Sequence, residues 1–543
     1  MRYKYQRVTT RRHIELVVWQ HPRLRLFRQF GVQFVLSPGK KIANMLLLLL
    51  FMIVCLTIWM YIHWTGVRQY WAKRGVPHLP PHPILGSLTF LQKQNPGLWM
   101  RDMYDRFRSP YVGMWLFWRP ALIINSPEIA RRVLVKDSAL FRDRLLSSGR
   151  SDPIGGLNLF TVNDPLWTTV RRRLTSVFTA AKLKMTQGLV SMKNRELVQR
   201  FVKEMNQNKC INVRMVLSDY TTDIIGMSAF GIKCNSTLTG EGPLRAITKE
   251  FMTYNWFRGL NWCCIFFIPE LADVLRFSLF PKHVTQYFRK IFRSMVDQRG
   301  GLDAEISESK DLLDALLKMR QECKKDNEDL SEDVLIAQAA IFLQGGFDTT
   351  ASALSFCFYE LAFEPDLQEK LHKELTDAAR NNGSTDFDAK LLSELVYINC
   401  LMKETLRKYA PMGWLDRIAA KDYQIDENLT ITAGTPIYVN AIGMHYDPDL
   451  FPEPHKFDPE RFLPENEKDM KAFSYMPFGE GPRHCIGRRF AEQNFRSTLA
   501  SITLNFKIQP TPNAPPPSEV EIEKKGLFLM PGQDLLLQFI PRN

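Results

Sequence analysis

A cysteine, an arginine and three glycines stand close together in Pro477-Phe478-Gly479-Glu480-Gly481-Pro482-Arg483-His484-Cys485-Ile486-Gly487. A cysteine set among glycines, an arginine and an aromatic, immediately ahead of a helix, is a place to hold a thiolate against a metal. Thiolate is the ligand form of cysteine, and a helix N-terminus favours negative charge, so a lowered pKa is predicted for Cys485. The helix reads Arg488-Arg489-Phe490-Ala491-Glu492-Gln493-Asn494-Phe495, with Leu499, Ile502 and Phe506 continuing its apolar face. Gly479 and Gly481 let the backbone turn sharply and approach a flat ligand closely. Gly487 leaves room beside the sulfur, and Arg483 can pair with an anionic group on the ligand. Taken alone, the same cysteine could be a buried structural thiol, the usual fate of a free cysteine.

Two helical stretches upstream carry further candidate groups. In Trp167-Thr168-Thr169-Val170-Arg171 the i, i+4 spacing puts Trp167 and Arg171 on one face, able to address one ligand. A solvated Arg171-Arg172-Arg173 face is the competing interpretation. From Ser331, a candidate N-cap followed by Glu332 and Asp333, runs a segment apolar nearly all round, so a buried helix is predicted to Ala362. In its middle lies Gly345-Gly346-Phe347-Asp348-Thr349-Thr350. Two glycines cost a helix about 1 kcal/mol each relative to alanine, and a mid-helix threonine can bond back to the i−4 carbonyl. Such weakness inside a strong helix marks either a ligand approaching the backbone or a glycine packing site.

Glu404-Thr405-Leu406-Arg407 places a carboxylate and a guanidinium one helical turn apart. Downstream come Arg417 and the segment Phe457-Asp458-Pro459-Glu460-Arg461-Phe462. Each is weak evidence alone. Their order is not: Trp/Arg pair, Asp-Thr helix, Glu-x-x-Arg, Pro-Glu-Arg-Phe and cysteine loop follow one another across about residues 75–510 in the sequence of the cytochrome P450 superfamily, which the chain resembles. The stretches Arg172–Thr179 and Tyr70–Pro77 look most like insect family 6 microsomal members.

That resemblance implies a mainly α fold with small β-sheets (α+β), haem buried between a long distal helix and a proximal cysteine loop. It implies Cys485 as the iron ligand, Phe478 shielding the sulfur, and Gly487 beside it. Arg171, Arg417 and Arg483, with Trp167, would hold the haem propionates. Asp348 and Thr349 would relay protons, and Glu404, Arg407 and Arg461 would form a buried structural triad. The implied activity is monooxygenation: one oxygen atom of O2 inserted into a lipophilic small molecule, with haem b as cofactor. No strand-linked Gly-x-Gly-x-x-Gly fingerprint appears, so electrons would come from NADPH through NADPH–cytochrome P450 reductase, sometimes with cytochrome b5. Lys471, Arg488 and Arg489 could steer such an acidic partner. A haem-thiolate isomerase or dehydratase, or a non-catalytic haem-binding protein, stays open as an alternative. Ala410 and Gly413 stand where the family usually has prolines, which puts the substrate-facing turn Met412-Gly413-Trp414-Leu415 in doubt. Phe141, Leu145, Leu146 and Ile154 fall where the family has its first substrate-recognition loop.

The elements that must position these groups fit a 543-residue chain that is 45% hydrophobic and 12% aromatic, ample for a large core. Helical patterns dominate. Tyr423-Gln424-Ile425 and Ile437-Tyr438-Val439 are predicted as strands around a Gly434-Thr435-Pro436 turn. Nine cysteines without paired spacing point to a reducing compartment rather than a disulfide framework. The net charge of +14 is local: residues 1–44 hold ten lysines and arginines against Glu15, leaving +5 for the rest, and no nucleic-acid module is present.

Ile42–Ile62 carries no charge over 21 residues, about 30 Å of helix, one bilayer core. The predicted organisation is a basic extension (1–41), a transmembrane signal anchor (42–62), a stiff basic and proline-rich linker (63–83) and a haem-thiolate domain (84–543). The family's microsomal members keep the body on the cytosolic face of the endoplasmic reticulum. The favoured expectation is that Met45 is the working start or that the extension is short and non-functional; the alternative is mitochondrial, because the Arg-rich extension resembles a transit peptide. The aromatic segment Trp256–Ile268 is either a membrane-dipping element or an ordinary core helix.

Overall fold

The computed structural model describes residues 38–542 except 209, 252 and 329. Most of the basic extension therefore lies outside the described residues. The chain divides into two compact units, Met1–His63 and Trp64–Asn543. Helix α1 (Pro38–Arg68) provides the described part of the first unit and its last turn enters the second. From Met45 to Ile62 its large apolar side chains are exposed. Among the described residues it is the one helix long and apolar enough to cross a membrane.

In the second unit the proline-rich stretch is not a free-standing linker. Trp71 is fully buried and its Nε1 donates to the Met114 carbonyl at 3.0 Å. Gly113 passes so close that a Cβ there would lie 2.4 Å from the Trp71 ring, and His78 forms a parallel bridge with Gly113. Burial of Trp71 and Val76 just ahead of the prolines, with the bridge at His78, outweighs the tendency of a proline-rich run to stand extended in solvent.

Strands β1 (Tyr111–Leu116) and β2 (Arg119–Ile124) form an antiparallel pair at one edge of a four-stranded sheet. Helices α2 (Leu166–Leu174), α3 (Val213–Phe230), α4 (Trp256–Phe267), α5 (Glu332–Phe363) and α6 (Val396–Lys408) follow, with others between them. Strands β3 (Leu415–Ile418) and β4 (Pro436–Val439) complete the sheet in the order β1-β2-β4-β3, and α7 (Arg488–Asn505) follows the cysteine loop. The result is a mainly α architecture with small sheets.

The strand Pro436–Val439 does not pair with Tyr423–Gln424. It runs parallel to β2 and antiparallel to β3, where Arg417 faces Ile437. Tyr423–Gln424 pairs instead with Thr430–Ile431. The Asp426 carboxylate accepts from the Asn428 and Leu429 N–H groups at 2.8 and 2.9 Å, closing a tight turn that precedes the glycine.

α5 is buried along nearly its whole length. Ser331 occupies its N-cap without a side-chain cap bond. Its first-turn acids are instead held by arginines: Arg293 to Glu332 at 2.7 Å and Arg289 to Asp333 at 2.6 Å. α5 packs on α3, where Gly346 permits the approach: a Cβ there would sit 2.7 Å from Ile225. Thr221 on α3 donates to the Phe347 carbonyl at 3.0 Å, tying the two helices beside Asp348.

Candidate active site

Gly479 and Gly481 have φ of 69° and 74°, a region that side chains avoid. A Cβ on Gly481 would lie 1.8 Å from the Leu134 carbonyl oxygen. The loop thus rests directly on the backbone of the turn Arg132–Lys136. Cys485 N–H donates to the Phe478 carbonyl at 2.8 Å, closing the loop on itself. The Cys485 side chain is exposed, but to an internal cavity of about 330 Å³ rather than to bulk solvent. Gly487 adds nothing to crowd it, since a Cβ there would meet no atom within 4 Å.

Of the nine residues assigned to cofactor or proton chemistry, Trp167, Arg171, Asp348, Thr349, Phe478, Arg483, Cys485 and Gly487 all line this cavity. Arg417 does not. It is buried, with Nη1 donating to the Asp416 carbonyl at 2.7 Å. Arg144, which sequence reasoning missed, lines the cavity and lies 3.9 Å from the Asp416 carboxylate. In the sequence it hides in Arg142-Asp143-Arg144, which reads as an ordinary solvated charge cluster.

These arginines are poorly compensated. Burial pushes Arg417 and Arg483 down to about 9, with the neighbouring Arg144 charge adding to the effect on both. Burial also lowers Arg144 and Arg171. Arg483 is held by the Arg142 carbonyl at 2.5 Å, the Val162 carbonyl at 3.1 Å and the face of Trp167 at 4.3 Å. Its nearest carboxylate, Asp143, is 3.8 Å away. Both carboxylate oxygens of Asp416 lack a hydrogen bond. Positive charge desolvated to this degree favours an incoming anion.

The Cys485 thiol departs from expectation. Burial raises its pKa, and the Gly487 N–H, Arg171 and Arg488 only partly offset this. Desolvation therefore outweighs the helix N-terminus, and the sulfur requires a cation in contact to persist as thiolate.

Across α5, the Thr349 hydroxyl donates to the Gly345 carbonyl at 2.7 Å, yet the helix continues unbroken through both glycines. Gly345 faces open space, whereas Gly346 faces Ile225. Asp348 is 1% exposed, with Arg214 Nη2 3.4 Å from Oδ1 and no partner for Oδ2. Burial raises its pKa despite Arg214.

Phe141, Leu145, Leu146 and Ile154 are buried in the core and none lines the cavity. Leu159, Phe160, Trp262, Phe266, Phe280 and Phe342 line it instead. Met412 and Leu415 of the doubtful turn line it too, while Trp414 is buried behind them. α4 is thus a core helix through Phe267, but Trp256 and Phe257 at its start are 62% and 58% exposed. Gln344, also unremarked in the sequence, contributes an amide oxygen that is buried without a partner.

Glu404 and Arg407 are both fully buried and doubly bonded, at 2.7 and 2.8 Å. Arg461 approaches Glu404 at 3.5 Å. The proposed docking cations differ in availability. Lys471 pairs with Glu128 at 2.6 Å and Arg488 with Glu492 at 2.8 Å. Arg489 is exposed and, among the described residues, has no ion-pair partner.

A family model described as Cytochrome P450 matches residues 76–539. The chain is similar to Cytochrome P450 6k1 of Blattella germanica, 33% identical over 494 residues, covering 87% of this chain and 93% of that one. It is similar to the Drosophila melanogaster protein named Probable cytochrome P450 6a13, 35% identical over 472 residues, with 85% and 93% covered. Cytochrome P450 6a2 of Drosophila melanogaster is 32% identical over 457 residues, with 81% and 89% covered.

Proposed function

Because the chain belongs to the cytochrome P450 family and is a haem-dependent monooxygenase that uses O2, we propose that it hydroxylates a lipophilic small molecule with electrons from NADPH through a membrane-bound reductase. The observation that carries the site assignment is the meeting of the Cys485 sulfur and three under-compensated guanidiniums on one apolar cavity. These residues fit a haem, which would bring an iron for the thiolate and two carboxylates for the cations. Cys485 would hold the iron, Phe478 would cover the sulfur, and Arg144, Arg171 and Arg483 with Trp167 would hold the carboxylates. Arg417 adds charge from behind. When bound, the haem supplies oxygen activation, tuned by its thiolate ligand.

The chain's own part is to bind, orient and move protons. Asp348, kept from ionising easily by burial, retains a proton to higher pH than a free aspartate. Thr349 parks its hydroxyl on the Gly345 carbonyl and donates into the cavity when it rotates away. Thr349→Ala should leave NADPH consumption within about twofold while product falls roughly tenfold, less than the 10²–10⁴ range for a residue doing direct general acid catalysis. Peroxide released per NADPH checks this. Unchanged coupling would remove Thr349 from the relay. Reconstitution with a reductase tests the activity itself: expected is NADPH-dependent product carrying oxygen from O2. A normal thiolate spectrum without such product would overturn the proposed NADPH–reductase electron source.

The substrate is inferred to be an aromatic lipophile bearing a hydroxyl, since aromatic side chains line the cavity and the Gln344 amide oxygen has no partner. A buried unsatisfied polar atom costs about 1–3 kcal/mol, and rotation of the Gln344 amide into the cavity it lines would let a ligand hydroxyl recover part of it. Gln344→Leu should weaken 1-naphthol binding about tenfold relative to 1-methylnaphthalene, ~1.4 kcal/mol. The ferric spin-state shift reads both affinities. An unchanged ratio would refute the hydroxyl requirement.

We place the protein in the endoplasmic reticulum membrane through α1, with Trp256, Phe257, Val274 and Leu275, all exposed, touching the lipid surface and the body in the cytosol. Protease added outside sealed microsomes should digest the body. Protection of the body would reverse the orientation. Steering of an acidic reductase falls mainly to Arg489, so reductase-supported turnover should fall as salt rises. Salt-independent turnover would argue against it.

A further inference from the structure

His445 belongs to none of the motifs above, yet it stands between two of them. It is fully buried. Its Nδ1 lies 3.0 Å from the Arg407 carbonyl oxygen, and its Nε2 lies 3.0 Å from the Met476 backbone N–H. Met476 can only donate, so Nε2 is the acceptor and the ring proton sits on Nδ1, donating to Arg407. Arg407 Nη1 donates in turn to the His445 carbonyl at 2.8 Å. The ring stacks on Tyr475 at 5.5 Å and meets Phe451 edge-on at 6.3 Å.

Each neighbour leads to a fixed point. Arg407 is held by Glu404 and by the Pro454 carbonyl at 2.9 Å. Met476 is followed by Pro477 and Phe478, whose carbonyl accepts the Cys485 N–H at 2.8 Å. One imidazole therefore joins the Glu404–Arg407 pair to the residue that opens the cysteine loop. The neutral ring is essential to this joint, because protonation would turn Nε2 into a second donor facing the Met476 donor. Burial, assisted by the Arg407 charge, keeps the ring neutral by lowering its pKa to about 3.

We propose that His445 is a positioning residue for the cysteine loop, and that thiolate ligation by Cys485 depends on the acceptor at its Nε2. The proposal rests on the haem-thiolate assignment of Cys485. It predicts a role that shape alone cannot fill, since the two bonds require a donor on one side of the ring and an acceptor on the other.

His445→Gln and His445→Asn in the full-length, haem-loaded protein separate this from simple packing. Glutamine carries an amide oxygen out to the ε position and can accept from Met476. Asparagine keeps an amide near the Arg407 carbonyl but is one methylene too short. After reduction and CO binding, the Gln variant is expected to keep most of the strongly red-shifted thiolate band. The Asn variant should show at least about threefold less of it, in favour of the unshifted band, with haem content and melting temperature close to those of the Gln variant. A wild-type band in the Asn variant overturns the proposal. So does equal loss in both variants that tracks their melting temperatures. The wild-type protein is the control: if it lacks the red-shifted band, the haem-thiolate assignment has failed and this proposal falls with it.

Discussion

Cys485→Ala is expected to abolish the red-shifted Soret band of the reduced, CO-bound protein while leaving the chain folded. The loop does not need the sulfur for its shape. It is closed by backbone, through the Cys485 N–H to the Phe478 carbonyl, and by the contact of Gly481 with Leu134. The side chain faces the cavity rather than the packed core. Alanine also removes a thiol that burial disfavours as an anion. Stability should therefore change by no more than about 1 kcal/mol. Product formation should fall at least about a thousandfold, ~4 kcal/mol in barrier terms, because alanine would offer the iron no thiolate. A variant that keeps the red-shifted band would assign the thiolate to another of the nine cysteines and dismantle the site described here.

Arg407→Ala should do the reverse, destroying the fold's hold on the site without touching the cavity. Arg407 does not line the cavity and is 0% exposed, like Glu404. Its removal takes the forked partner from the buried Glu404 carboxylate, leaving it only the more distant Arg461 at 3.5 Å and the Asp458 N–H at 2.8 Å, and the carbonyls of His445, Pro454 and Lys456 lose a donor. Breaking one side of a buried ion pair costs about 3–5 kcal/mol, a large fraction of the 5–15 kcal/mol that stabilises an ordinary domain. The expected outcome is a large drop in denaturation midpoint and little recoverable haem-loaded protein. Arg407→Lys should rescue only part, since a single ammonium cannot reproduce the forked contact with Glu404. A stable, haem-replete Arg407→Ala protein would show that the triad is dispensable.

What was legible beforehand depended on how local the cause was. The distal helix announced itself through an apolar run longer than any strand, with a cap residue and acids at its start. The loop glycines were readable because their positive φ follows from the turn itself. Strand partners were not, because the Asp426 turn closes Tyr423 onto Ile431 before the chain reaches Gly434, and nothing in Ile437–Val439 names β2 as its neighbour. Arg144 and His445 escaped notice because their partners, Asp416 and Met476, lie 272 and 31 residues away. The Cys485 thiol was misjudged for a related reason: a helix start is visible in sequence, whereas desolvation is a property of the assembled cavity. Phe141 and Leu146 were placed near the substrate by position alone, and their side chains turned out to serve the core.

The guanidinium cluster around Arg144, Arg417 and Arg483 has no means of relieving itself by titration. Even lowered to about 9, Arg417 and Arg483 stay charged at neutral pH. On the proposed assignment, relief would arrive from outside the chain, as the carboxylates of the incoming cofactor. A ligand that binds only the folded form adds about 4 kcal/mol when present at a thousand times its Kd, so cofactor supply and protein lifetime become one variable. Cells short of haem should clear this chain faster at an unchanged rate of synthesis, which a pulse-chase comparison of haem-replete and haem-starved cells would read directly. On that reading an empty site would itself limit the lifetime of the chain.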